Sequence, residues 1–404
     1  MSKHYASVAD RAEKAVSFRE IARGCYAFTA EGDPNSGVIV GDDCVLVIDA
    51  QPGPAMAGKV VEHIRKITDK PIRHVVLTHY HASHTLGVES FGAPSIIASD
   101  LSRRIFAERG KQNREAERER FPRLFASTPH NAAVSPTLTF SSSVSLFLGS
   151  REVRIMHLGR GHTMGDIVVW VPDCRAMFTG DLVANRCASY CGDAHIGDWP
   201  RTLDRLKAFH PEVLVPGRGA VAISRERCAE VLEQTKSFIE VLRDAVNESV
   251  EHRRSLKDAF LNVRHAMDNR FGSYALYEHF LPFSVARAYD EAQGVDHPRI
   301  WTAKAEHDLW RALVGEGEVA ESVVEEETAA AVAEEENSDW QEATPQEDWP
   351  QEDWAKDDDA ASDDEADEET ETAADDAAED AEADETAGEA EGEASAETEE
   401  ERKS

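Results

Sequence analysis

Three histidines fall within six residues of one another in the segment THYHASH, which contains His79, His81 and His84. An apolar run at 75–77 precedes them and predicts a buried strand that runs into a turn. Positions two apart in an extended or tightly turning backbone point the same way, so His79 and His81 can face one point. Neutral imidazole nitrogens are suitable ligands for zinc or iron. The cluster therefore predicts a metal site, and three unrelated surface histidines are the competing interpretation.

Polar side chains also follow three β-rich runs later in the chain. The turn GRGHTMGD carries His162, FTGD ends in Asp181, and VPGRG carries Arg218. Imidazole, carboxylate and guanidinium groups are able to bind metals or anions. His157 lies within a predicted strand of the same region, and we interpret it as a core histidine or as a residue behind the site.

Alternating strands and helices must position these turns. In the first half, the patterns predict strands at 25–29, 37–41, 44–49 and 95–98, with a helix at 54–67 and a short helix at 86–91. In the second half, they predict strands at 144–148, 151–158, 166–171, 176–178 and 213–216, with helices at 199–209 and 225–252.

A further helix predicted over 101–125 has a very polar middle, ERGKQNREAERER, at 108–120. Charge runs of this kind are usually exposed faces. We therefore predict that this part rises from the body as a solvated lid or flap.

Acidic residues are concentrated at the C-terminal end of the sequence. Of 78 acidic and 43 basic residues, 39 and 3 fall within 316–404, which leaves 39 and 40 in 1–315. The body is therefore nearly neutral, and it is long enough to bury one large core or one domain with a helical appendix. The segment 316–404 carries few large apolar residues, so we predict that it is disordered.

Three tryptophans, Trp340, Trp349 and Trp354, lie among the acidic residues of that segment. One interpretation is a tail that only solvates the chain. The other is that the tryptophans dock on a basic, partly apolar groove of a protein partner or of the body, with the acids steering the encounter.

The N-terminal segment and the cysteines indicate the cellular compartment of the protein. The first twenty residues lack an apolar run before a cleavage site, and no later stretch approaches a membrane span. Six cysteines are scattered through the body, at 25, 44, 174, 187, 191 and 228, which favours free thiols over a disulfide framework. We expect a cytoplasmic protein without a membrane partner.

In this order, THYHASH, GRGHTMGD, FTGD and VPGRG resemble the motif set of the metallo-β-lactamase fold hydrolase superfamily, over roughly residues 20–225. The resemblance implies an α/β protein built as an αββα sandwich, with two mixed sheets face to face, helices outside and a metal site at one edge. We predict this domain over 1–225, a helical C-terminal extension over 226–315 and a disordered acidic tail over 316–404. Residues 289–303 are similar to a bacterial branch associated with sulfur oxidation and quinoprotein operons.

The resemblance also implies a ligand set. His79, His81 and His162 match the three imidazole positions of the first metal site, and Asp181 matches the carboxylate that touches both metals in dinuclear members. Asp49, at the end of the run CVLVID, matches a carboxylate that braces the histidine loop. A turn-forming role for Asp49 is the alternative.

The second metal site departs from the family pattern at two positions. The family has Asp where this chain has Ser83, and His where it has Arg218. A serine is a poor ligand, and a permanent cation would repel a second dication. We therefore predict one metal ion, zinc or alternatively iron, and catalytic roles for Asp181, His84 and Arg218, with Arg218 pairing with Asp181 or holding an anionic substrate group.

Cys187, Cys191 and His195 follow Asp181 at four-residue spacing, in a loop that lines the pocket according to the resemblance. They are candidate replacement ligands for the missing ones. The alternative is that they form the pocket wall or the core, since this spacing is not an established metal box.

The leading functional prediction is a zinc-dependent hydrolase with a small-molecule substrate that contains an ester, thioester or lactam-like bond. An iron-dependent persulfide dioxygenase is an alternative, because superfamily members with that activity use a mononuclear site. A metal-binding but catalytically idle protein that acts through its tail is another, favoured by Ser83 and Arg218. A nuclease is the least favoured alternative, since relatives with that activity need two metals and the acidic tail would repel the phosphate backbone. We therefore expect no nucleic-acid partner.

Overall fold

Two mixed sheets dominate residues 14–315, which are the residues that the computed structural model describes. The first sheet has seven strands in chain order, β1 (Val16–Ala22), β2 (Cys25–Ala30), β3 (Ser36–Val40), β4 (Val45–Ile48), β5 (Ile72–Val76), β6 (Ser95–Ser99) and β7 (Leu138–Phe140). Strands β1 to β4 pair antiparallel, and β4 to β7 pair parallel. The predicted disordered tail and its tryptophans lie outside the described residues.

The second sheet has six strands, β8 (Ser143–Leu148), β9 (Arg151–Met156), β10 (Val168–Val171), β11 (Ala176–Phe178), β13 (Val213–Val215) and β15 (Ala222–Ile223). Their order across the sheet is β15-β13-β11-β10-β9-β8. Two short strands, β12 (Ala184–Asn185) and β14 (Arg218–Gly219), form a separate parallel pair.

The described α-helices cover the outer faces of the sheets and the edge between them. They are α1 (Pro54–Ile67), α2 (Ala82–Thr85), α3 (Asp100–Arg120), α4 (Pro122–Phe125), α5 (Trp199–Lys207), α6 (Arg225–Glu251), α7 (Leu256–Phe271), α8 (Tyr277–Ala292) and α9 (Ala303–Val314). Among the residues described, no helix combines the length and the apolar character needed to cross a membrane.

Side-chain alternation along the strands builds the layers. In β4, Leu46 and Ile48 enter the core between the two sheets, whereas Val45 and Val47 pack outward in the core that includes α1. In β10, Trp170 and its outward neighbours pack in a core with the helices α5 to α8. Period-two alternation with both faces buried is expected for strands inside a layered sandwich. The predicted αββα sandwich and the C-terminal helices are therefore confirmed, while the domain boundary at residue 225 stays a prediction.

Strand register brings the chemically interesting turns to one edge. Ile48 lies opposite Val76 in the parallel pair β4 and β5, so Asp49 and the histidine segment leave the first sheet side by side. Phe178 lies opposite Val215 in the parallel pair β11 and β13, so the FTGD and VPGRG turns leave the second sheet together. Carboxyl ends of parallel strands are a common place for binding sites.

The structure differs from the sequence predictions in several strands that were not predicted, β1, β7, β12, β14 and β15, and in the position of α3. Strand β1 was not predicted, because its exposed and half-buried positions carry no clear alternation. The predicted solvated lid is wrong: α3 lies against the body and buries Arg109, Asn113, Glu117 and Arg120. Its inward face is itself polar, so hydrophobic periodicity carries no signal of burial there.

Candidate metal centre

The histidine loop places three imidazoles around one point. The ligand nitrogens of His79, His81 and His162 all lie within 4.8 Å of one another, and the three side chains are buried. His81 Nδ1 is only 2.9 Å from His162 Nε2. The tight turn into α2 brings His79 and His81 together, whereas His162 arrives from the loop after β9.

Asp181 joins this cluster from the second sheet. Its Oδ2 lies 3.9 Å from His79 Nε2 and 3.7 Å from His162 Nε2, and its Oδ1 lies 3.2 Å from His84 Nε2. A Cβ atom at Gly217 would stand 2.0 Å from Asp181 Oδ1, so only glycine allows the VPGRG turn to approach so closely. The structure thus brings all four predicted ligands together, and their roles as ligands stay predictions.

Hydrogen bonds fix the orientation of two histidines through Asp49. Asp49 accepts from the Thr78 backbone N–H and hydroxyl, both at 2.8 Å, and from His84 Nδ1 at 3.0 Å. Since the Thr78 hydroxyl donates to Asp49, its oxygen accepts from His79 Nδ1 at 2.9 Å. Asp49 has φ 59°, a left-handed conformation that aspartate tolerates, so it braces the loop and also forms a turn.

The other two imidazoles are held from the loop that follows Asp181. The Tyr190 carbonyl accepts from His162 Nδ1 at 2.8 Å, and Asp193 Oδ2 lies 2.9 Å from His81 Nε2. In His79, His81 and His162, one ring nitrogen therefore meets an acceptor and the other carries a lone pair, whereas His84 Nε2 faces Asp181 Oδ1.

The free atoms fit a bound cation. Among the residues that the structure describes, buried His79 Nε2 has no hydrogen-bond partner, and His84 Nε2 and Asp181 Oδ1 have only their 3.2 Å approach to each other. Buried polar atoms are rarely left without a partner. The facing lone pairs of His81 and His162 would also repel each other unless a proton or a cation lay between them. The donor set, imidazoles and one carboxylate, suits zinc or iron.

Burial and neighbouring charges set the protonation states. Burial lowers the pKa values of His79, His81 and His162, which favours the neutral form that a metal ligand requires. Burial also disfavours the charged forms of His84 and Asp181, but their mutual attraction prevails. Asp181 and Asp49 raise the pKa of His84 to about 9, and His84 together with a neighbouring arginine holds the pKa of Asp181 well below its usual value.

Arg218 lies where the family pattern predicts a second metal site. Its Nε donates to Asp181 Oδ2 at 3.4 Å, its Nη2 to Ser83 Oγ at 3.1 Å and its Nη1 to the Gly32 carbonyl at 3.0 Å. The guanidinium carbon lies 5.7 Å and 5.9 Å from the ring centroids of Phe121 and Phe280. The predicted pairing of Arg218 with Asp181 is present, and Phe280 of α8 adds a wall from the C-terminal helices.

The polar face of α3 supports the histidine loop from outside. Asn113 Oδ1 accepts from the Ala82 backbone N–H at 2.8 Å, and Glu117 Oε2 accepts from the Ser83 N–H at 2.7 Å. These N–H groups begin α2 and need partners because no preceding turn supplies them. Sequence reasoning missed this support, although polar residues that recur three and four apart at 109, 113, 117 and 120 were a usable signal.

The other candidate ligands do not converge with the imidazoles of the centre. The two groups of described residues that could hold an ion are His79–His81–His162 and Asp49–His79–His84, so neither includes Cys187, Cys191 or His195. Burial raises the pKa of Cys191 to about 12, which fits a core thiol. His157 Nδ1 donates to the Asp166 carbonyl at 2.8 Å, in keeping with a histidine behind the site.

Residues 29–218 match the family model described as the Metallo-beta-lactamase superfamily. This part of the chain belongs to that superfamily. A linear primary-alkylsulfatase of Pseudomonas sp. (strain ATCC 19151) is 24% identical over 235 residues, which are 50% of this chain and 44% of that protein. A metallo-beta-lactamase type 2 of Bacillus cereus is 26% identical over 200 residues, 48% of this chain and 70% of that enzyme.

A solved metallo-beta-lactamase from Pontibacter korlensis covers 56% of this chain and 99% of its own, with 20% identity and a TM-score of 0.46. The chain spans less than half the length of the alkylsulfatase that it matches. The named relatives are hydrolases of the metallo-beta-lactamase superfamily. The similarity of residues 289–303 to a sulfur-oxidation branch stays a prediction.

Proposed function

We propose that this metallo-beta-lactamase superfamily member is a metal-dependent hydrolase of a small molecule with an ester, thioester or lactam-like bond. One zinc ion would be held by His79, His81, His162 and Asp181. The observation that carries the proposal is the convergence of the buried ring nitrogens of His79, His81 and His162 beside the Asp181 carboxylate, where His79 Nε2 has no hydrogen-bond partner among the described residues. Such a set is costly to keep buried unless it binds something.

A zinc ion held by His79, His81, His162 and Asp181 would supply Lewis-acid chemistry and a hydroxide nucleophile near neutral pH. The chain's own contribution is proton handling and orientation. Asp181 is held ionised beside His84, whose Nε2 is 3.2 Å away and whose pKa is raised to about 9. His84 Nε2 is therefore the atom that can hold a proton and return it to a leaving group, in place of the carboxylate absent at Ser83.

Arg218 would bind the anionic part of a substrate. Its guanidinium is buried next to the Asp181 carboxylate and lies 5.7 Å and 5.9 Å from the ring centroids of Phe121 and Phe280. A cation in a partly apolar wall attracts a carboxylate or a sulfate group strongly. The alkylsulfatase relative adds sulfate esters to the candidate substrates.

An iron-dependent persulfide dioxygenase remains the second candidate. The supporting observation is that Arg218 and Ser83, which stand where the family pattern has two ligands of the second metal, contact each other directly. A catalytically idle metal-binding protein is the third, for the same reason.

Elemental analysis of protein purified without oxygen tests the metal, and we expect about one equivalent of zinc. A panel of p-nitrophenyl acetate, p-nitrophenyl sulfate, a thioester and a lactam then tests hydrolysis, with His79→Ala as the inactive comparison. Iron together with persulfide-dependent oxygen uptake would favour the dioxygenase. Full zinc occupancy without turnover of any substrate would favour the idle protein.

A further inference from the structure

Asp193 contacts His81 through the ring nitrogen that does not face the other histidines. Its Oδ2 lies 2.9 Å from His81 Nε2, whereas His81 Nδ1 faces His162 Nε2 at 2.9 Å. Asp193 and His81 are 5% and 2% exposed, so water does not compete for this contact. The two residues are 112 positions apart, and no motif of the sequence marks Asp193.

We propose that Asp193 is a positioning residue for metal binding, whose carboxylate fixes the tautomer and the orientation of His81. The inference rests on the metal site of the proposed function. A carboxylate only accepts hydrogen bonds, so the ring proton of His81 must lie on Nε2. Nδ1 then keeps its lone pair and points to the shared centre, as a metal ligand requires.

Arg109 holds the carboxylate in place. The guanidinium is buried on the inward face of α3, with Nη1 3.5 Å from Asp193 Oδ1. The Tyr80 hydroxyl contacts the same carboxylate. A buried carboxylate without a cation or donors would carry a large desolvation penalty, so Arg109 and Tyr80 allow Asp193 to remain an acceptor behind His81.

The C-terminal helical region reaches this arrangement through Arg109. Arg109 Nη1 also donates to the Pro298 carbonyl at 3.2 Å, and Nη2 lies 2.8 Å from His297 Nε2. Trp301 Nε1 donates to the Gly192 carbonyl at 3.0 Å, next to Asp193. The segment between α8 and α9 therefore lies behind both the arginine and the loop, and it extends the metal site beyond the family motifs.

Zinc affinity of the full chain tests the proposal, measured by competition with a chromogenic chelator. We expect Asp193→Ala to weaken zinc binding by about 10- to 100-fold, the range found when such supporting partners of metal ligands are removed. Asp198→Ala is the matched control, because this aspartate lies in the same loop and pairs with Arg160 at the surface instead of with a histidine. The control should bind zinc like the wild type.

Replacing zinc with cobalt distinguishes a role of Asp193 in positioning His81 from a role in fold stability alone. The visible spectrum of the cobalt-loaded protein reports ligand geometry, and we expect it to change in Asp193→Ala but not in Asp198→Ala. Asp193→Asn keeps an acceptor for Nε2 and should recover part of the affinity. If Asp193→Ala does not fold, Asp193→Asn and Arg109→Met must each still weaken zinc binding by several-fold.

Unchanged affinity and an unchanged cobalt spectrum in the Asp193 variants would overturn the proposal. A loss no larger than that of Asp198→Ala would do the same. The outcome is separable from the proposed function, since a wild-type chain that binds zinc but hydrolyses nothing refutes only the hydrolase. A wild-type chain that binds no zinc refutes both.

Discussion

Arg218 Nη2 donates to Ser83 Oγ at 3.1 Å, so the two residues that depart from the family's second metal site contact each other directly. They lie 135 positions apart, Ser83 in the short helix α2 and Arg218 in the short strand β14. If position 83 carried a carboxylate, the Arg218 guanidinium would form a tight ion pair with it. If position 218 carried a histidine, the Ser83 hydroxyl would lose the hydrogen-bond donor that Arg218 provides. Ser83 and Arg218 therefore form one hydrogen-bonded unit in this protein.

Rebuilding the pair should change metal stoichiometry. We expect Ser83→Asp combined with Arg218→His to raise zinc uptake from about one equivalent toward two, because it restores two ligands and removes a cation. Each single variant should stay near one equivalent. Elemental analysis after mild dialysis measures this, and a double variant that still holds one equivalent would argue that other loop residues block the second position.

Removing one imidazole should abolish tight metal binding. His81→Ala takes away a ligand nitrogen and leaves Asp193 without its partner, so metal content and hydrolysis should fall together. His157→Ala is the control, because His157 binds a backbone carbonyl behind the site. Full occupancy in His81→Ala, measured by elemental analysis, would exclude His81 as a ligand.

The buried ion pair between Arg120 and Glu306 should be important for stability. It joins α3 to α9, and both side chains are almost fully buried. We expect Glu306→Ala to lower the free energy of unfolding by roughly 3–5 kcal/mol, since it leaves a buried guanidinium without this carboxylate. Denaturant unfolding measures the loss.

Asp308→Ala, which removes the exposed partner of Lys304 in the same helix, should leave the denaturation midpoint unchanged. Equal midpoints for Glu306→Ala and the wild type would contradict the assigned importance of the buried pair.

His195 should make the fold sensitive to acid. Burial, assisted by Arg160 and Arg287, lowers its pKa from 6.5 to about 4, and its Nδ1 has no hydrogen-bond partner in the described part of the chain, with Asp296 Oδ1 3.7 Å away. His195 therefore binds a proton below pH 6.5 in the unfolded chain, whereas in the folded chain it binds one only near pH 4. Stability contributed by neutral His195 is present above pH 6.5 and is lost as the pH falls toward 4.

We expect His195→Gln to remove this part of the pH dependence, which amounts to at most about 3 kcal/mol because one pKa unit corresponds to about 1.4 kcal/mol. Unfolding free energies of both proteins between pH 4 and 7 give the difference, in which the titration of the metal ligands cancels. Parallel curves over that range would show that His195 is not the group responsible.

Local sequence was enough to locate the central strands of both sheets, the helices α1, α5 and α6, and the turns that carry His79, His81, His162 and Asp181. The continuous apolar run at 45–48 is a strand buried on both faces, and the helix predicted over 54–67 has the bounds of α1. These features depend on contacts that repeat along the chain with a fixed period, so the pattern is visible in a short window. The ordered motifs, through their resemblance, added the layer architecture.

Only the tertiary structure decided which residues stand behind the metal ligands. Asp193 meets His81 across 112 residues, and the polar face of α3 is buried because Asn113 and Glu117 receive the N–H groups of the histidine loop. A buried polar side chain and an exposed one look alike in a sequence, because what separates them is a partner supplied by a distant segment. The sequence alone thus determined the candidate ligands, and the packing of distant segments determined how they are oriented.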